Sequence, residues 1–334
     1  MKNKLIKAAK ILKKIFIVIL CMVTIFLVCT TAWNKIMCMK EDKFLSKVGT
    51  NINVNGTNMR MSVTGEGEKT IVLLSGMGTP SPITDFKPLA DKLSKNYKVV
   101  TLEYPGYGLS DYTNMEMNNK FIVEEIRAAL NENGIKPPYI LMPHSISGIY
   151  CMQYMNMYPK EIEAMIGIDS SVPNQVKYDG ISEISDGLYY LVKFMDITGL
   201  SRFSNLFGSD FIKGMESSGG YSEEEIRTVT AMINRKSITK ALLNENRNFM
   251  DNCKSLYDTK YPDNIPILFL LSNDSCKQYE KEGLSVTWDG IHKEVISNPN
   301  IQKLEYLDGE HYLHWTQSET IANMTDEFVQ KFTH

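Results

Sequence analysis

Two periodicities run along this chain, and one segment shows neither. From Ile15 to Trp33 the sequence IFIVILCMVTIFLVCTTAW continues for nineteen residues without a charge. At a helical rise of roughly 1.5 Å per residue it spans about 28 Å, close to the hydrocarbon thickness of a bilayer. A core helix of that length normally carries a polar stripe, and this one has almost none. The pattern predicts a transmembrane helix over 15–33, preceded by a Lys-rich segment (1–14) and followed by a short polar linker (34–50).

Beyond the linker, NINVNG and TNMRMSVTGEG alternate like a hairpin turning at Asn55-Gly56. KTIVLLSGMG, YKVVTLEYPGYG, YILMPHS, EAMIGIDSS, IPILFLLSND and IQKLEYLDGEH contain apolar runs of strand length. Between them FKPLADKLSKN, FIVEEIRAALNENG, IYCMQYMNMYP and GLSVTWDGIHKEVISN carry helical spacing, and SETIANMTDEFVQKF closes the chain as an amphipathic helix. Strands alternating with helices predict an α/β fold, a mostly parallel central sheet covered on both faces. Residues 51–170 and 256–334 would form this core. Residues 171–255 interrupt the rhythm with helical patches such as DGLYYLVKFMDITGL and SEEEIRTVTAMINR, and read as a helical lid.

Charge sharpens the picture. Eight Lys and no acid fall within residues 1–40, leaving 28 basic against 39 acidic groups in the rest. An acidic body without a basic face argues against a nucleic-acid partner. The Lys cluster before Ile15 belongs on the cytoplasmic side by the positive-inside rule, which puts the body on the extracytoplasmic side of the cell membrane as a single-pass protein. Trp33 fits an interfacial anchor. A cleaved signal peptide is the competing reading, with Thr30-Thr31-Ala32 as its cleavage site, but the apolar run exceeds a typical signal core. The six Cys form no CxxC pair, so neither a zinc site nor a disulfide framework is indicated.

The candidate chemistry lies at the carboxyl ends of the strands, where functional groups of such sheets gather. In PHSISG, Ser145 occupies an abrupt strand-to-helix turn, with the free N–H groups of the next helix beside it. The usual pattern there is G-x-S-x-G, and here Pro143 and Ser147 take the glycine positions. In LLSGMG, a Gly-rich turn lets backbone N–H groups face a site, so Met77 and Ile146 are the candidate oxyanion donors. Asp274, three residues after the strand in FLLSNDS, is the candidate acid, and His311 in LDGEHYLHW the candidate base. The order Ser145, Asp274, His311 is the Ser–acid–His order of one hydrolase fold.

Several nearby groups have plainer readings. His144 suits packing or a hydrogen bond. His314 makes H-x-x-H with His311, but not the H-E-x-x-H of a zinc helix. Asp169, also after a strand, is the reserve acid, and Asp308 sits too near His311 in sequence to orient it. SITK (237–240) lacks the companion motifs of penicillin-recognising enzymes. Tyr189, Tyr190, Phe194, Phe203 and Phe207 of the lid would line an acyl pocket or form the lid's own core.

Over residues 51–334 the sequence resembles the α/β-hydrolase superfamily, in particular its lid-bearing lineage of serine esterases and lipases. LLSGMG resembles its oxyanion loop, LEYPGYGLSD its D-x-P-G-x-G-x-S segment with Glu103 in place of Asp, PHSISG its nucleophile elbow and GEHYLHWTQSETI its histidine loop. The resemblance implies Ser145 as nucleophile, His311 as general base then acid, Asp274 orienting His311, and no metal or organic cofactor. Serine rather than Asp at the elbow argues against the epoxide hydrolase and haloalkane dehalogenase branches. The expected activity is hydrolysis of a small-molecule carboxylic ester through an acyl-enzyme. Acyl transfer, amide or peptide hydrolysis, and a non-catalytic binding protein of the same fold are the alternatives.

Overall fold

The structure, a computed structural model, describes residues 2–205 and 208–333. Phe207, one of the aromatic residues expected in the lid, lies outside them. The first helix, α1 (Lys2–Leu45), contains the whole apolar run and continues past it. Residues 34–45 are therefore helix and not a linker. The reason is packing: Leu45 is buried against Ala231 and Met232, and Asn34 and Glu41 are buried too.

The hairpin follows as β1 (Thr50–Val54) and β2 (Thr57–Thr64), turning at Asn55 (φ 50°) and Gly56 (φ 82°). Two positive φ values are what a two-residue hairpin turn requires, and Asn-Gly supplies them at little cost. Then come β3 (Thr70–Leu74), α2 (Pro82–Asp85), α3 (Lys87–Leu93), β4 (Lys98–Glu103), α4 (Asn119–Glu132), β5 (Tyr139–Pro143), α5 (Ser147–Met157) and β6 (Ile162–Ile168). The excursion between β6 and β7 is helical: α6 (Asp186–Thr198), α7 (Leu200–Ser204), α8 (Asp210–Ser218), α9 (Glu223–Arg235) and α10 (Lys240–Lys254). The core resumes with β7 (Ile267–Ser272), α11 (Asn273–Lys281), α12 (Trp288–Val295), β8 (Gln302–Leu307), α13 (Leu313–Thr316) and α14 (Ser318–Phe332).

Among the described residues one sheet forms, in the order β1-β2-β4-β3-β5-β6-β7-β8. Pairings β1–β2 and β2–β4 are antiparallel and all others parallel. Every residue of β3, β5 and β7 is buried, as expected of strands covered on both faces. One face packs on Ile122, Val123 and Ile126 of α4, on α5 and on Ile291 of α12. The other packs on Leu89 and Leu93 of α3 and on Ile321, Phe328 and Val329 of α14. With every parallel strand pointing the same way, the carboxyl ends of β3, β5, β6 and β7 form one rim beneath the helical excursion.

Candidate active site

The turn after β5 carries Ser145 in the left-handed region, at φ 54°. That conformation costs a non-glycine residue about 1 kcal/mol or more and persists only where its surroundings impose it. Pro143 closes β5, and pairing resumes at His144, whose N–H donates to the Leu74 carbonyl (2.9 Å). The Ser145 carbonyl accepts from the N–H groups of Gly148 (3.0 Å) and Ser171 (2.8 Å). Gly148 is obligatory, because a Cβ there would lie 2.3 Å from the Ser171 carbonyl oxygen. Ser147 fits the remaining small position by turning inward: its buried hydroxyl donates to the Ser75 carbonyl and pairs with Tyr104 Oη (2.7 Å).

Ser145, Ile146, Met77, Asp169 and His311 line one cavity of about 360 Å³, together with Gln175, Ile181, Phe249 and Tyr279. Among the described residues, neither the Met77 nor the Ile146 backbone N–H donates to a backbone carbonyl in the loops. Gly76 keeps this corner open: a Cβ on it would sit 2.9 Å from His144 Nδ1 and 3.0 Å from Ser145 Cβ.

The acid beside His311 is Asp169, not Asp274. His311 Nδ1–H donates to Asp169 Oδ2 at 2.7 Å. Asp169 directly follows β6, at φ 40°, and is fully buried. The same Oδ2 accepts from Ser275 Oγ (2.5 Å), while Oδ1 accepts from the Ser272 N–H (3.0 Å) and Trp288 Nε1 (2.8 Å). Burial pushes this carboxyl up, yet the His311 contact and these donors outweigh burial and hold it below its ordinary range. Because Nδ1–H is committed to Asp169, Nε2 is the imidazole nitrogen left to take a proton.

Asp274 is carried elsewhere by a helix that the sequence reading did not anticipate. Ser272 caps α11, its hydroxyl accepting from the N–H groups of Asp274 (3.1 Å) and Ser275 (3.0 Å). Helix therefore begins directly after β7, and Asp274 occupies its first turn, with a side chain 49% exposed and paired to Lys277 (2.9 Å). The signal was present: a serine opening SNDSCKQYEK, with charges three apart, reads as a capped, solvent-facing helix. Asp308 likewise points away, accepting from Asn273.

Two further histidines, His144 and His314, support the site. His144 is fully buried and its Nε2–H donates to the His311 carbonyl (3.1 Å), which fixes the loop that carries the imidazole. Desolvation, helped by His311 and His314, lowers its pKa well below the usual range, so it stays neutral. His314 and Asp85 form a second buried pair (2.9 Å), and Trp315 Nε1 donates to the same carboxylate (2.7 Å). That pair ties the histidine loop to α2. Among the described residues no group of three or more His, Cys, Asp or Glu is arranged to hold a metal ion. Of the lid aromatics expected at an acyl pocket, Tyr190, Phe194 and Phe203 are exposed and neither they nor Tyr189 line this cavity; the lid contributes Phe249 to it instead.

Comparison with known proteins agrees with this architecture. Residues 69–317 match the family described as the alpha/beta hydrolase fold. An uncharacterized Bacillus subtilis protein, YbdG, is 28% identical over 329 residues, which cover 96% of this chain and 98% of that protein. An uncharacterized Schizosaccharomyces pombe protein is 24% identical over 200 residues, 59% of this chain and 35% of its own length. Among solved structures, Cfl2 of Burkholderia cenocepacia is similar with a TM-score of 0.61 at 15% identity, covering 83% of this chain and 94% of that one. An epoxide hydrolase of Vigna radiata, VrEH1, gives 0.57 at 18% identity, with 85% and 97% covered. At such identities these structures share the fold.

Proposed function

This chain belongs to the α/β-hydrolase family, and we propose that it is a serine hydrolase that cleaves a carboxylic ester, held at the membrane by its first helix. The reading rests on a single observation: His311, paired with the buried Asp169, opens on the same cavity as a serine held at positive φ. His311 Nε2 takes the Ser145 proton as the hydroxyl oxygen attacks the acyl carbon. The Met77 and Ile146 N–H groups receive the oxyanion, each donor being worth about 3 kcal/mol at the transition state. His311 returns the proton to the departing alkoxide, then activates the water that releases the acid. Asp169 keeps the imidazole in the required tautomer.

Epoxide opening is the second reading, favoured by the Vigna radiata structure. The residue at the elbow, a hydroxyl and not a carboxylate, speaks against it. The membrane component draws support from the length and apolar character of α1, and the Lys-rich start would keep residues 1–14 cytoplasmic with the hydrolase domain opposite. The deciding experiment presents the full-length protein with chromogenic esters of graded acyl length, matching amides and a styrene-type epoxide, with and without added alcohol. Ester turnover that Ser145→Ala abolishes supports the proposal. Turnover of the epoxide alone overturns it, and products carrying the added alcohol reassign the second half-reaction to acyl transfer.

A further inference from the structure

Helices α6 and α7 are fastened to the end of α1. Asn34 Nδ2 donates to the Asp196 carbonyl (2.8 Å), and Arg202 Nε donates to Asn34 Oδ1 (2.6 Å). The Arg202 guanidinium grips Glu41 through two bonds (2.5 and 2.8 Å), with both side chains buried. The helices touch so closely at Gly199 that a Cβ there would lie 2.7 Å from Asn34 Cβ. The Phe203 ring packs on Trp33 (5.6 Å between centroids) and on Phe26 (6.1 Å).

Phe26 lies seven residues inside the Trp33 end of the apolar run, which is roughly 10 Å along a helix. A bilayer spanned by residues 15–33 would thus reach the level of Phe203 and of the adjoining end of α6. There α6 exposes Leu188, Leu191, Phe194 and Ile197 at three-residue spacing, beside Tyr190, and Ile197 is 63% exposed. A one-sided apolar helix at that depth fits an interfacial amphipathic element.

Two other residues of α6, Tyr189 and Lys193, line a cavity of about 280 Å³ with Gly106, Tyr112, Lys236, Thr239 and Lys240. Three lysines line it and no carboxylate does, on a body that is otherwise acidic. Lys236 bonds the Gly108 carbonyl (2.8 Å) and Lys240 sits over the Tyr112 ring (5.3 Å). Gly106, Lys236 and Thr239 also line a small recess that reaches Gly78, the residue after Met77. The cationic cavity is therefore a neighbour of the oxyanion loop as well as of the apolar face.

We propose that α6 lies in the headgroup layer of the bilayer, with its apolar face down, and that Lys193, Lys236 and Lys240 receive the phosphate of an anionic glycerophospholipid. The inference rests on residues 15–33 being the membrane anchor. Apolar burial seats the helix, and attraction to anionic headgroups adds roughly a fivefold gain per lysine. The lid is thereby held at the lipid surface, with its anion pocket one loop away from Ser145.

The test uses full-length protein in nanodiscs of phosphatidylcholine, with or without phosphatidylglycerol, each doped with its own headgroup-photoactivatable analogue and, for residues 15–33, with an acyl-chain-photoactivatable one. Adducts are mapped by mass spectrometry. Expected are adducts within 186–198 in both lipids. Those on peptides bearing Lys193, Lys236 and Lys240 should be roughly fivefold or more enriched with phosphatidylglycerol, a preference that K193Q/K240Q, which keeps Lys236, reduces by roughly fivefold or more. Adducts on the 15–33 helix and none on α6 would overturn the proposal and leave the anchor standing. No adduct on residues 15–33 in either disc would instead remove the anchor reading beneath it. Equal labelling of the lysine peptides by both lipids, unchanged in K193Q/K240Q, would overturn the headgroup pocket.

Discussion

Replacing Asp169 by Asn separates the two candidate acids. Its Oδ1 serves the Ser272 N–H and the Trp288 indole, donors that cannot reverse, so the amide oxygen must stay on that side. The amide NH2 then faces Ser275 and His311. The Ser275 hydroxyl can rotate to accept. The imidazole can accept only by presenting an unprotonated Nδ1, which moves its proton to Nε2 and leaves nothing to take the Ser145 proton. The change from carboxylate to amide in a serine–histidine–acid arrangement lowers kcat on the order of 10⁴-fold, or about 5 kcal/mol of barrier. Asp274→Asn removes a half-exposed ion pair with Lys277, worth under about 0.5 kcal/mol, and should leave kcat within about twofold. Steady-state hydrolysis of the best ester, with thermal unfolding as the folding control, reads both variants. A collapsed rate in Asp274→Asn beside a preserved rate in Asp169→Asn would refute the assignment.

Glu245 of α10 is fully buried and meets the hydroxyls of Tyr107 and Tyr150, and burial raises its pKa to about 7 despite both contacts. A carboxyl whose folded pKa is raised from 4.5 to about 7 binds more protons folded than unfolded. Its favourable effect is complete below the lower value and is lost as pH climbs through the upper one. Chemical denaturation across that interval should show a smaller loss of stability in Glu245→Gln than in wild type, and an equal loss would contradict this. Gly76→Ala drives a methyl into His144 and Ser145, and a displacement of up to about 1 Å at the nucleophile should lower kcat on the order of 100-fold. Ester kinetics on protein of unchanged melting temperature test that. Arg202→Ala removes two bonds to the buried Glu41 and leaves it Arg235 Nε at 3.5 Å, and should cost on the order of 2 kcal/mol, seen as faster proteolysis of the α6–α7 segment than of the sheet.

The sheet was legible in the sequence because its strands announce themselves. TIVLL, YILMP and ILFLLS are unbroken apolar runs, and the helix predicted at SETIANMTDEFVQKF is α14, Ser318–Phe332. Asn55-Gly56 marked the hairpin for a local steric reason. The long-range pairing that selects the acid could not be read so directly. Asp169 and Asp274 both follow strands, and only the immediate start of α11 after Ser272 turns the second one outward. The helical continuation of residues 34–45 was hidden for a similar cause. Its polar residues Asn34 and Glu41 look solvated in sequence and are buried because distant residues meet them: Arg202 reaches both, the Asp196 carbonyl accepts from Asn34, and Arg235 lies beside Glu41. Glu245 gave no signal at all, since an acid within an amphipathic helix normally faces water.

The central claim is that Ser145 is a nucleophile made reactive by His311, and covalent capture tests it most directly. Full-length protein treated with a fluorophosphonate should gain one phosphonyl group, located by peptide mapping on Ser145. The His311→Ala variant should react on the order of 10³-fold more slowly or worse, and Ser145→Ala should not react. An unlabelled wild type, a label on another residue, or an undiminished rate in His311→Ala would contradict the account.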